Sequence, residues 1–164
     1  MTSHRHQALE LAPRLEEISR AITWASQALP SWVDPIRLDV GLTEALTNAI
    51  VHGALEVSSS LRHHGVETYL GEVERRSLTP EASSKVLRLT IDHDVHTVDI
   101  RLSWLGAPCP ASLRGKAGPV DPLAGSGLGT TLIYASFDEV IWGADGYSLL
   151  LRLYERADGR AHAP

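Results

Sequence analysis

One cysteine, one phenylalanine, one methionine and an aromatic content of only 5% leave this 164-residue chain short of several common structural resources. A lone cysteine, Cys109, can form neither an internal disulfide nor a Cys-based zinc site, and this suits a reducing compartment. No apolar run approaches the roughly 20 residues that span a bilayer. The N-terminal Met1-Thr2-Ser3-His4-Arg5-His6 leads into a charged segment, without the apolar core of a secretory signal. A cytoplasmic protein without membrane attachment is the expectation. Positive charge is scarce too: 15 basic against 20 acidic residues give a net charge of -5, which provides no field to attract a nucleic-acid backbone.

An apolar fraction of 43% with 21% charged residues is ordinary for a globular protein, and the length suits one domain with a real core. Leu11, Leu15, Ile18, Ile22, Ala25 and Leu29 recur at steps of four and three, which predicts an amphipathic helix. Pro30 and Pro35 bracket a break, and a second helix is expected from about Ile36 to Ala54, paired with the first. Residues 56 to 85 mix loop-like Ser58-Ser59-Ser60 and His63-His64-Gly65 with a short amphipathic pattern at Val66, Tyr69, Leu70 and Val73 that Thr79-Pro80 ends.

From Val86 the period becomes 2. Leu87, Leu89 and Ile91 form one expected strand, and after a turn at Asp92 to His96 comes a second with Val98, Ile100, Leu102 and Trp104 on one side. Ten prolines and glycines between residues 105 and 129 mark a long functional loop. A helix is expected over about Thr130 to Phe137, then strands at Val140 to Trp142 and Tyr147 to Tyr154 around a turn at Gly143 to Gly146, with a frayed tail at 157 to 164. This order predicts an α+β, two-layer sandwich with helices on one face of a mixed sheet.

Two segments carry candidate chemistry. In Leu42-Thr43-Glu44-Ala45-Leu46-Thr47-Asn48-Ala49-Ile50-Val51-His52-Gly53, helical phasing of about 100° per residue puts Leu38, Leu42, Ala45, Leu46 and Ala49 on one arc and Glu44, Asn48 and His52 on an adjacent stripe. A carboxylate can serve as a general base, and an amide oxygen can ligate magnesium beside phosphates. A solvated polar face fits the same spacing equally well. In Gly125-Ser126-Gly127-Leu128-Gly129-Thr130, alternate glycines ahead of a helix N-terminus form a candidate phosphate cradle, and a hinge fits the same cue. Neither the dinucleotide nor the Walker pattern is present, since no lysine follows the last glycine.

Three minor features read more simply. Asp92, His93, Asp94 and His96 fit a polar hairpin turn better than a metal site. His63-His64 reads as exposed loop, and Cys109 as a small buried residue with no neighbouring base in sequence.

In content and order, LTEALTNAIVHG resembles the N-box, and GSGLGTTLIYASFDEV the second glycine box, of the anti-sigma-factor serine-protein kinases of the GHKL (gyrase, Hsp90, histidine kinase, MutL) ATPase superfamily. The resemblance covers most of the chain except an atypical insertion at about 56 to 85. It implies the Bergerat, histidine-kinase-like ATPase fold and a domain over residues 1 to 156. It further implies Mg-ATP binding, sequestration of a sigma factor or similar regulator, phosphorylation of a STAS-domain antagonist, and a possible homodimer.

By that resemblance Glu44 is the catalytic base and Asn48 the magnesium ligand, with His52 bordering the pocket. Gly125, Gly127, Leu128, Gly129 and Thr130 would contact phosphates, and residues 109 to 124 would form a lid in which Arg114 and Lys116 are candidate cations. The adenine box departs from the family pattern. Gly106 is retained, but Trp104 stands where an adenine-reading Asp is expected. A non-catalytic interaction module of the same fold, weakened for nucleotide, is therefore the alternative. A sensor histidine kinase would need a dimerisation helix that the roughly thirty residues ahead of the N-box helix cannot hold.

Overall fold

A computed structural model describes residues 5–114 and 128–156. The chain begins with a strand, β1 (Arg5–Leu11), followed by helix α1 (Glu17–Ala28) and helix α2 (Pro35–Asn48). The latter continues as a π-helical turn over Ala49–Ala54. A 3-10 turn (Ser59–His64), α3 (Val66–Ser77) and the single turn α4 (Pro80–Ser83) fill the insertion. Strands β2 (Leu87–His93) and β3 (Thr97–Ser103), helix α5 (Leu128–Ser136), and strands β4 (Glu139–Trp142) and β5 (Ser148–Tyr154) complete the fold.

The five strands form one sheet in the order β1-β2-β3-β5-β4, and every neighbouring pair is antiparallel. The expected mixed sheet is thus corrected. β3 and β4 do run in the same sense across the α5 connection, but β5 inserts between them, so no parallel pair is hydrogen-bonded.

The N-terminal expectation also needs correction, because Leu11 ends a strand and does not open a helix. Gln7, Leu9 and Leu11 alternate along β1 and pair with Ile91, Leu89 and Leu87. The signal was a period of 2 ahead of the helical period. In α1 the deepest contacts come from Ala21, Ala25 and Ala28, and these small residues let the helix lie close to the layer beneath.

Side chains on one face of the sheet form the core. Leu87, Leu89 and Ile91 of β2, Val98, Ile100 and Leu102 of β3, and Leu149, Leu151 and Leu153 of β5 are all essentially inaccessible. Their register places Leu89, Leu102 and Leu149 in one row and Ile91, Ile100 and Leu151 in the next. The opposite face is polar. There a row of residues crosses all five strands, His6–Asp92–Asp99–Arg152–Glu139. The like charges of Asp92 and Asp99 are flanked by His6 at 2.6 Å from the first and by Arg152 at 2.6 and 2.8 Å from the second.

Helix α2 starts where the sequence places a stop and a cap. Pro35 occupies its first turn, and the Asp34 carboxylate accepts from the backbone N–H of Ile36 at 2.8 Å. Leu38, Leu42, Ala45 and Leu46 are buried as the periodicity required. Gly41 allows α5 to approach closely: a Cβ there would press on the Ser136 Cβ and come within 2.5 Å of the Phe137 ring.

Gly41→Ala should therefore lower the thermal midpoint, although Ala favours an isolated helix by about 1 kcal/mol, because overpacking costs about 1 to 3 kcal/mol. A melting curve shifted upward would show that α2 and α5 are not in this contact.

Candidate functional site

The Gly41 contact sets the crossing of α2 and α5, and the same crossing brings the two motifs together. Gly129, in the first turn of α5, lies directly against Glu44. A Cβ at 129 would press on Glu44 Oε2, approach its Cδ to 3.4 Å and come within 3.9 Å of Asn48 Nδ2. A carboxylate and a carboxamide one helical turn apart thus face the N-terminus of α5, whose first N–H groups and positive dipole end suit an anion. Leu128 is exposed and Thr130 half-buried beside Gly129. Gly125, Gly127, Ser126 and Lys116 lie outside the described residues.

The stripe does not continue unchanged to His52. After Asn48 the backbone passes into the π-helical turn, in which the Leu55 N–H bonds the Ile50 carbonyl at 2.8 Å, so α-helical phasing lapses there. His52 Nδ1 donates to the Val57 carbonyl at 2.7 Å, and this ties the imidazole to the closure of its own turn. Burial pushes the His52 pKa below its usual value near 6.5; the Val57 bond opposes the shift and Arg62 reinforces it.

Trp104 and Gly106 meet the C-terminal end of the same helix, at Gly53. The Trp104 indole is only 6% exposed and lies on the backbone of Gly53, where an added Cβ would meet Nε1 at 2.5 Å and Cδ1 at 2.6 Å. Its Nε1–H donates to the Ala107 carbonyl at 2.9 Å, and its ring meets Trp142 edge to face at 6.4 Å. Trp142 in turn donates from its indole to the Tyr134 hydroxyl of α5 at 3.2 Å. Gly106, at φ +135°, passes directly over the Gly53 carbonyl, which accepts from the Ala107 N–H at 2.9 Å. Only glycine suits both that conformation and that approach. The residue at the expected Asp position is therefore locked into the core against the end of the helical segment that α2 opens.

Of the expected lid only residues 109 to 114 fall within the described region. Arg114 donates from Nη1 to the carbonyls of Ala144 at 2.7 Å and Gly143 at 3.4 Å, so its guanidinium caps the β4–β5 turn. Cys109 is half-buried, and burial raises its thiol pKa, which fits an unreactive residue. At the β2–β3 turn, Asp94 Oδ1 accepts from the N–H groups of His96 and Thr97 at 2.9 and 2.8 Å, and among the described residues no group of three His, Cys, Asp or Glu could hold a metal. His63 and His64 are exposed at the end of the 3-10 turn.

Sequence reasoning missed Gly53, whose role is to leave room for the indole, and Arg76 and Lys85, which reach the same helix end from the insertion. A glycine inside a helical pattern was the available signal for the first; nothing local signalled the other two. No protein-family model matches this sequence, and no curated protein matches it significantly. Among the described residues no helix is long and apolar enough to cross a membrane.

Two outcomes test the site. Gly53→Ala should destabilise the fold by about 1 to 3 kcal/mol through overpacking, and much less in a Trp104→Phe background, so that the double-mutant cycle shows coupling. Additive effects in denaturant titrations would refute the contact. The second concerns pH. Because the folded His52 pKa is depressed, the unfolded chain takes up its proton first as pH falls. The contribution of neutral His52 is complete above about 6.5 and lost as pH falls through the folded value. Stability measured from pH 7 downward should fall more steeply in wild type than in His52→Gln.

Proposed function

We propose that this chain is a partner-switching regulator of the anti-sigma serine-protein kinase type, which binds Mg-ATP and phosphorylates a serine of a STAS-domain antagonist while sequestering a sigma factor or similar regulator. The reading is supported above all by Gly129 standing against Glu44 and Asn48, two motifs far apart in sequence that converge where the resemblance requires a phosphate site. The five-stranded sheet with helices packed against it accords with the proposed GHKL ATPase fold.

The residues present fit the phosphate and metal end of a nucleotide. A glycine whose Cβ would crowd the carboxylate keeps the approach open, and Asn48 offers an amide oxygen to magnesium. Bound magnesium would neutralise charge on the transferring phosphoryl group. Glu44 would accept the proton of the attacking serine hydroxyl, and the first N–H groups of α5 would orient phosphate oxygens.

A second reading is favoured by Trp104. The adenine-reading carboxylate is missing, and a buried indole packed on Gly53 stands at its position. The base end does not fit adenine as well as the phosphate end fits phosphate. In this reading the chain keeps the fold and the partner surface, binds nucleotide weakly, and works as an interaction module. Loss of a charged hydrogen bond of about 1.5 to 3 kcal/mol weakens affinity roughly tenfold to more than a hundredfold.

Calorimetric titration with Mg-ATP, joined to a phosphotransfer assay on a STAS-domain substrate, tests both. Saturable binding by wild type, with transfer abolished but binding kept in Glu44→Gln, is the expected result for the kinase. Binding that appears only in Trp104→Ala, at a stability cost of about 3 to 5 kcal/mol for the vacated indole, would select the module. Equal transfer by wild type and Glu44→Gln would remove Glu44 from the role of base.

A further inference from the structure

The insertion at 56 to 85 has no part in the proposed chemistry, yet its basic side chains converge on one place. A helix ends with carbonyls that lack intrahelical partners, and the π-helical end of α2 is closed almost wholly by groups from elsewhere in the chain. The Ala54 carbonyl accepts from Lys85 Nζ at 2.7 Å. Those of Leu55 and Glu56 both accept from Arg76 Nη1, at 3.0 and 2.8 Å. The Val57 carbonyl accepts from His52 and the Gly53 carbonyl from Ala107.

Glu56 carries the turn in the left-handed region, at φ +58°, where a non-glycine residue is strained. Its carboxylate is held by Lys85 at 2.7 Å. Arg76 is held in turn by Glu72, whose Oε1 accepts from Nε at 2.6 Å. Tyr69 and Val73 bury the inner face of α3 and so fix the base from which Arg76 reaches. Ala54, Leu55, Glu56, Arg76 and Lys85 border a cleft of about 350 Å³ between α3, α4 and the helix end.

We propose that the 56–85 insertion is a clamp, with Arg76 and Lys85 as positioning residues that hold the terminal turn of α2 in its π register and thereby seat Gly53 under Trp104 and His52 on Val57. Cations at a helix C-terminus also meet the negative end of its dipole. Without them the turn can relax to α-helical bonding or fray, and the seat of the indole moves with it. The link to nucleotide rests on the function proposed above; the clamp itself does not.

The test is native-state hydrogen exchange of the ligand-free protein, which separates local opening from global unfolding. In Arg76→Met the amides of Leu55 and Val57, which close the turn by bonding Ile50 and Val51, should exchange about tenfold faster or more, the equivalent of losing about 1.5 kcal/mol. The β3 amides, which report global opening, should change less. Lys85→Met should act on the same two amides, and Arg76→Lys should recover part of the protection because it keeps the charge but not the fork. His52, followed by NMR, should titrate nearer its ordinary value in Arg76→Met. Exchange at Leu55 and Val57 that is unchanged, or that rises only in step with β3, would overturn the clamp. No nucleotide is used, so a protein that fails to bind Mg-ATP would sink the proposed kinase and leave this result standing.

Discussion

Carbonyl groups at the end of a buried helix cannot be left without donors, and that requirement organises this protein around residues 53 to 57. Five successive carbonyls there are answered by Ala107, Lys85, Arg76 twice and His52, which come from the loop after β3, from the insertion and from the helix itself. The π-helical widening and the left-handed Glu56 follow from the same need, since they turn the chain out of the helix while keeping its bonds. Once this end is placed, Gly53 presents bare backbone to the Trp104 indole, and Gly106 crosses above it.

The other end of the candidate site depends on small residues instead of hydrogen bonds. Gly41 and Gly129 remove side chains where α2 and α5 cross, so the helices approach until Glu44 and Asn48 stand beside the first turn of α5. A polar pair on a helix is common, and so is a glycine-rich turn before another helix. Their convergence brings a carboxylate, a carboxamide and the first turn of α5 to one place. Trp104 links the turn at Gly53 to β4 and α5 through Trp142 and Tyr134, so the indole is part of the core.

Much of the architecture was legible from residue type and spacing. Asp34-Pro35 marks the start of α2 by the chemistry of a cap and a fixed φ. The alternation from Leu87 to Trp104 yields the hairpin and its buried face, because a period of 2 leaves no choice of which side chains share a side. The strand at Arg5–Leu11 went unread because its three inward residues run directly into the helical spacing that begins at Leu11, and period alone cannot divide them. Strand neighbours were equally out of reach. Whether β5 pairs with β3 or leaves β4 there is decided by which apolar rows align across the sheet, here Leu149 with Leu102 and Leu151 with Ile100.

By itself the sequence determined the α+β class, the buried faces and the identity of Glu44, Asn48 and Gly129 as residues worth testing, since these follow from local periodicity and side-chain chemistry. Only the tertiary structure decided that Gly129 meets Glu44, that Trp104 is fixed on Gly53, and that Arg76 and Lys85 close the helix end. Each of those is a contact between residues distant in the chain, set by helix crossing and by the demand for hydrogen-bond donors at a helix end. No spacing along one strand or helix records such contacts.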